Sequence, residues 1–352
     1  MSDVNIDIFT TATLAGVVPN LMTSQNWMLD RFFPNIVESQ SEEVAIDVDV
    51  GKRRMAPFVS PLVQGKLVES RRIQTNTFKP AYIKDKRAPD LRKPIRRQIG
   101  ERIGGSFTGA ERAMLNIQFE MADQIDILNR RMEWMGCSAL TSGTVTIKGD
   151  GFPTTVIDFG RDPELTITHT GSDKWPTSVA SGAKNTQPTD DIDEWQTLIL
   201  KKSGAKVTDI IFTTSSWKAF KLDTSLEGAI IFPNMNPSGN VINPGPQIEN
   251  GAIYKGRWGQ YDLWLYNDWY VDPDTDEEEP MLPDGCVIMT GAALMGTRAF
   301  GMILDPAFSY GALAYAPKTW IEQDPAQQIL LMQSAPIVIP SRVNASLCAT
   351  VV

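Results

Sequence analysis

The chain has 352 residues, 42% of them hydrophobic, enough for two or three domains with real cores. Its 33 Lys and Arg against 42 Asp and Glu leave a net charge of −9, and one histidine and three scattered cysteines leave little for metal, acid–base or disulfide chemistry, as fits a reducing cytoplasm. A charged fraction of 21% with 9% aromatics excludes global disorder; no run approaches the ~18 apolar residues of a membrane span, and no basic-then-apolar signal segment opens the chain.

Residues 1–45 are weakly periodic, and Pro19 and Pro34 interrupt any long helix. They read as an arm that reaches away from the core and packs on something else. From Val44 to Val50, Val and Ile alternate with Ala and Asp, the period of a strand. The segment from Gly51 to Arg112 then carries sixteen Lys and Arg against five acids, a charge of +11, which leaves −20 on the rest of the chain. A basic strip beside an acidic body points to an anionic partner or to other copies of the same chain. Binding of nucleic acid through residues 51–112 is the alternative function. The acidic body opposes it, and the strip has few aromatics, among them Phe58, Phe78 and Tyr82, to serve as stacking platforms. Within the strip, Phe58 to Val63 and Lys66 to Ser70 flank Gln64-Gly65 as a hairpin, and Phe78 to Ile83 supplies a further strand. So polar a hairpin needs a surface to lie on.

Thr108 to Leu140 is the clearest helix. Thr108 and Glu111 have capping-box spacing, and Met114, Ile117, Met121, Ile125, Leu128, Met132 and Met135 recur at steps of three and four. The Ser138–Gly143 stretch ends it too soon for a long coiled coil, so it reads as a spine lying on a sheet, with Ile125 and Leu128 facing that sheet. Thr144–Lys148 and Thr154–Phe159 form a hairpin around Gly149-Asp150-Gly151. A second helix runs from Pro188 to about Lys202, acids first and lysines last, as its dipole favours. Val207–Thr213 reads as a buried strand and Ser215–Leu222 as a short helix. The proline-punctuated Gly228–Gly251 reads as an exposed loop. Ala252–Tyr254, Tyr261–Tyr266, Val287–Thr290 and Arg298–Leu304 read as strands of one sheet, and Gln328–Ile339 and Arg342–Val352 close the pattern.

Chemistry is sparse. No phosphate-binding glycine loop, H-E-x-x-H or G-x-S-x-G occurs. His169 reads as a polar surface residue. Asp190, Asp191 and Asp193 read as helix-capping acids, and Asp272 to Glu279 lacks the glycine and distal acid of a calcium loop. The nine tryptophans read as packing residues. No catalytic, metal or cofactor site is expected, and the chain reads as no enzyme.

Several motifs in order resemble one family. Phe58-Val-Ser-Pro-Leu-Val-Gln-Gly-Lys66 and Phe78-Lys-Pro-Ala-Tyr-Ile-Lys84 are similar to the extended-loop region of the lambda-type major capsid protein of tailed bacteriophages, the phage capsid protein E family. Asp158-Phe-Gly-Arg161, Trp175, Pro188-Thr-Asp-Asp-Ile192, Tyr254-Lys-Gly-Arg-Trp-Gly259 and Met332-Gln-Ser-Ala-Pro336 follow in the same order, so the resemblance covers about residue 55 to 352. It implies an α+β, HK-ninety-seven-like capsid fold. Its parts would be an N-terminal arm (1–45), an extended β-hairpin loop (46–104), a peripheral domain (105–187 and 305–352) holding the spine helix, and an axial domain (188–304). It further implies self-assembly into hexamers and pentamers of an icosahedral shell in the host cytoplasm, with a scaffold and portal during assembly. A decoration protein would sit at the local three-folds, and packaged double-stranded DNA would be contacted without sequence preference. The intersubunit residues of the hairpin loop would be Phe58, Val59, Leu62, Val63, Lys66, Arg71, Arg72, Phe78 and Lys84, with Met114, Ile117, Met121, Ile125, Leu128 and Met132 as the core face of the spine.

Overall fold

A computed structural model describes residues 26–49, 55–62, 64–65, 73–89, 108–149, 151–178, 185–226, 230–231, 248–249, 251–324 and 326–352. The spine helix runs from Gly109 to Ser142. Thr108 caps it through both arms of the capping box, its N–H donating to Glu111 Oε2 at 2.6 Å and the Glu111 N–H to Thr108 Oγ1 at 3.3 Å. That pairing holds the Glu111 carboxyl below its usual range. Gly143 ends the helix at φ 74°, a left-handed turn that costs glycine little. The apolar stripe serves two cores in succession. Ile117, Met121, Ile125 and Leu128 pack against Leu330 and Met332, while Met132 and Met135 enter the main core.

Leu330 and Met332 belong to a three-stranded sheet in which Ala326–Ser334 lies between Ala316–Gln323 and Ile83–Arg87. An eight-stranded sheet dominates the rest. Its order is Ile248–Glu249, Ala252–Trp258, Tyr261–Tyr266, Asp209–Phe212, Cys286–Thr290, Leu347–Thr350 and Thr166–Thr168, with Ile230–Ile231 pairing Ala252–Trp258 off this path. Its central strands are covered on both faces. Ile210, Phe212, Val287 and Met289 share a core with Ile192, Trp195 and Ile199 of the helix Gln187–Ser203, while Ile211 and Ile288 share the other core with the end of the spine helix. Strands covered on both faces favour continuous apolar runs, which is why Ile210 to Phe212 and Cys286 to Met289 do not alternate. A second three-stranded sheet joins distant parts of the chain: Gly296–Phe300 pairs antiparallel with Pro336–Pro340 and parallel with Asn35–Glu38.

Several expectations need correction. The part of the expected arm that is described does not reach away: Trp27, Met28, Leu29, Phe32 and Phe33 are buried in their own chain's core, because the short helix Trp27–Phe32 presents four apolar side chains to it. Phe58 to Leu62 is not a strand; Val63 and the expected partner Lys66–Ser70 lie outside the described residues. The hairpin that forms pairs Val44–Asp49 with Ile73–Phe78, from Val44 opposite Phe78 to Asp49 opposite Ile73. Strand Ile83–Arg87 is built into the sheet beneath the spine, because Ile83 packs on that core and Tyr82 donates to Gln333 at 2.8 Å. Arg298–Leu304 does not extend the large sheet; the strand there is Gly296–Phe300, in the sheet of the N-terminal segment. Both Thr166–Thr168 and Leu347–Thr350, expected in the peripheral part, join the large sheet, whose second core takes Leu347, Ala349 and Trp175. Most of Gly228–Gly251 lies outside the described residues.

Candidate assembly surfaces

The base of the extended hairpin is tied to its own subunit. Val44 and Phe78 are buried, the Phe78 ring lies 5.4 Å from Phe159, and Lys79 pairs with Glu42 at 2.6 Å. Phe78 is therefore an anchor of the hairpin and not a contact for a neighbour. Beyond the base the character reverses. Met55, Phe58 and Leu62 are 90, 102 and 96% exposed, and Val59 is 40% exposed. Nothing in the described chain covers these side chains, and apolar surface offered to water in such a cluster marks a protein contact. Val63, Lys66, Arg71 and Arg72 lie outside the described residues. Lys84 is exposed, with its ammonium 5.1 Å from the Tyr82 ring centre.

Part of the basic strip is spent within the subunit. Arg87 meets Asp123 at 2.5 Å, Asp85 at 3.0 Å and Glu120 at 3.1 Å, and Lys86 lies 3.7 Å from Glu322. The strip is less free for a partner than its raw charge suggests. On the spine helix, Ile117, Met121, Ile125, Leu128 and Met132 are buried as expected, and Met114 is half-buried.

The docking of the N-terminal segment was not legible in the sequence. Glu133, on the spine, is 1% exposed and accepts from the N–H groups of Met28 at 2.9 Å and Leu29 at 3.0 Å and from Tyr266 Oη at 2.8 Å. One carboxylate thus caps the helix Trp27–Phe32 and ties it to the large sheet. Burial still pushes Glu133 up to about 7, since its three donors only partly offset desolvation. Arg31 completes the clamp. Its Nε donates to Asp209 Oδ1 at 2.8 Å, and its guanidinium lies 4.6 Å from the Trp264 ring centre, while Trp264 Nε1 donates to the same oxygen at 3.1 Å. Arg298 Nε donates to Phe33 O at 2.8 Å. At Gly296 an added Cβ would lie 2.3 Å from Phe32 O, so only glycine admits this backbone approach. A glutamate inside an apolar stripe, between Met132 and Met135, was the available signal for this clamp.

Among the described residues no group of three or more His, Cys, Asp and Glu is placed to hold a metal, and no helix is long and apolar enough to cross a membrane. His169 is not a surface residue. Its backbone N–H is bound to Thr350 O, which leaves the side chain 13% exposed between the sheet edge and the helix Gln187–Ser203, with Nδ1 3.8 Å from Asp191 Oδ2. Asp191 itself accepts from Trp175 Nε1 at 2.7 Å, and burial raises its carboxyl above the ordinary range. Cys137, Cys286 and Cys348 are free and buried.

A long spine helix over a small sheet, a hairpin extended from the subunit and a doubly covered larger sheet define the phage-capsid fold. The crystal structure of a candidate capsid protein from an E. coli CFT073 prophage superimposes with a TM-score of 0.74 over 98% of this chain and 99% of its own, at 21% identity. A capsid chain of cyanophage A-1(L) gives 0.51 over 100% and 96%, at 9% identity. Residues 10–351 match the family described as phage major capsid protein E, and the chain belongs to that family. Among its relatives, the major capsid protein of Escherichia phage lambda is 26% identical over 95% of this chain and 96% of its own. That of Enterobacteria phage P21 is 28% identical over 94% and 96%.

Proposed function

We propose that the chain is the repeating subunit of a phage shell, built by self-assembly into hexamers and pentamers of an icosahedral particle around packaged double-stranded DNA. Membership of the capsid family over residues 10–351 carries this reading. The exposed Met55, Phe58 and Leu62, which have no cover among the described residues of their own subunit, support the hairpin as the element that clasps a neighbour. Apolar anchors with basic surroundings fit a neighbour whose body is acidic, since charge sets approach and register while buried side chains supply the affinity. Assembly in the host cytoplasm on a scaffold and portal, and reinforcement by a decoration protein at the local three-folds, belong to the same reading. The division into arm, hairpin loop, peripheral and axial parts does as well, with the segment 26–38 moved from the arm to the body of the subunit, its residues 27–29, 32 and 33 buried and 35–38 paired at a sheet edge. The nucleic-acid-binding reading has no support in the family match.

The test uses Arg71 and Arg72 in the basic strip. Reversing both to Glu takes the strip from +11 to +7, and each misplaced pair costs only ~0–1 kcal/mol, but the cost recurs at every equivalent contact of a shell. Circular dichroism and melting of the unassembled double variant should match wild type, while electron microscopy and sedimentation should find no shells. Normal shells would sink the role given to the strip; wild-type protein that never forms closed particles or rings would sink the shell itself.

A further inference from the structure

Between the hairpin base, the spine helix and the strand Thr144–Gly149 lies a groove of about 710 Å³, large enough for a peptide turn. Ile147, Met302 and Ala335 line it with apolar surface, and four cations stand around it. Two of these are occupied: Lys79 by Glu42 at 2.6 Å, Lys148 by Asp274 at 3.2 Å. Lys84 and Arg131 differ. Among the described residues neither has a carboxylate partner, and each is held over a ring that also lines the groove, Lys84 5.1 Å from Tyr82 and Arg131 5.3 Å from Trp134. Cations fixed over aromatic faces beside an apolar floor suit carboxylates carried on a segment with apolar anchors.

The molecule carries such a segment. The strands Trp269–Val271 and Glu278–Pro280 form a hairpin whose turn and second strand hold Asp272, Asp274, Asp276, Glu277, Glu278 and Glu279. Trp269 and Val271 are 48 and 54% exposed on it. Asp272 accepts from the Asp274 N–H, Glu279 from Tyr270 Oη, and Asp274 meets Lys148. Asp276, Glu277 and Glu278 have no cation among the described residues, and so dense a group of like charges gains from one. Because Asp274 rests on Lys148 at the groove's rim, hairpin and groove share one face of the subunit. Two copies related by a two-fold axis can then exchange hairpins reciprocally.

We propose that the groove at Lys84 and Arg131 receives the acidic hairpin Trp269–Pro280 of a second copy of the chain, an inference that rests on the shell reading and names one of its contacts. A charge swap tests it. Lys84→Glu with Arg131→Glu, and separately Glu277→Lys with Glu278→Lys, should each lower shell yield about tenfold or more, and the chain bearing all four should recover most of the loss. Normal yield from either pair, or a swap no better than its worse parent, overturns the contact. Melting of the unassembled variants checks that they fold. If a pair does not, mixing singly substituted Lys84→Cys and Glu278→Cys chains, assembling them and oxidising with diamide gives a second readout. Diamide takes up the two thiol hydrogens and electrons as the disulfide forms, and the native cysteines are buried. A cross-linked dimer band is expected from shells of the mixed Cys chains; such shells without that band overturn the contact alone, whereas wild-type protein that forms no shells overturns the shell reading.

Discussion

Glu133 is where a single residue decides most. Its carboxyl sits in the core with a proton affinity raised to about 7 from the 4.5 of a free side chain, so the folded protein holds that proton where the unfolded chain has lost it. Its contribution is therefore full below about pH 4.5, declines as pH rises toward 7, and levels off above; the difference amounts to about 3 kcal/mol. Thermal melting of unassembled protein should show stability falling from pH 5 to pH 7, and Glu133→Gln should flatten that slope. A slope unchanged by the substitution would mean that another group titrates there. Asp305 acts in the opposite sense: Lys318 at 2.7 Å holds its carboxyl down at about 2. The stability it adds is present above pH 3.8 and is lost as pH falls through 2.

Elements that depend on local pattern were the legible ones. The capping box at Thr108, the stripe of the spine, the stop at Gly143 and the strand Tyr261–Tyr266 are written in neighbouring residues, and each formed where its pattern placed it. What local pattern does not carry is partnership. Nothing near Asn35 says that it pairs with Thr297, and nothing near Leu347 assigns that strand to the large sheet. The buried helix Trp27–Phe32 escaped because six residues are too few for a period, and the hairpin was misplaced because the strand at Val44 was legible while its partner, Ile73–Phe78, is polar between its two end residues. Of the candidate residues, the spine face was readable and Phe78 was not, since an aromatic residue in a basic strip serves an anchor or a contact equally well. Two substitutions address the elements. Leu128→Asp puts an unpaired charge beneath the spine and should abolish soluble folding. Gly296→Ala forces Phe32 off its seat and should cost roughly 1–3 kcal/mol with loss of protection in Trp27–Phe33, measured by melting and hydrogen exchange. Soluble, shell-forming Leu128→Asp protein would show that the buried face is misassigned.

Taken whole, the molecule divides its labour between a fixed plate and a free clasp. The two three-stranded sheets, the spine and the large sheet enclose three buried clusters, while the apolar side chains near Phe58 stand exposed. The described lysines of the strip offer little for covalent joining: Lys79 and Lys86 face Glu42 and Glu322, and Lys84 lies over Tyr82. Denaturing electrophoresis of mature particles should accordingly show one band near 39.0 kDa, and a ladder of higher species would count against a shell held by non-covalent contacts.

The parallel pairing of Asn35–Glu38 with Gly296–Phe300 also sets a clock. During synthesis at ~5–20 residues per second, the ribosome takes roughly 13–50 seconds to deliver the strand that this N-terminal segment needs. Until then Trp27, Met28 and Phe32 have no completed core to enter, and the hairpin that follows them has no finished plate behind it. A nascent chain thus lacks the strand on which its own beginning pairs, and that strand in turn pairs with Pro336–Pro340, so the sheet closes only when the polypeptide is nearly complete.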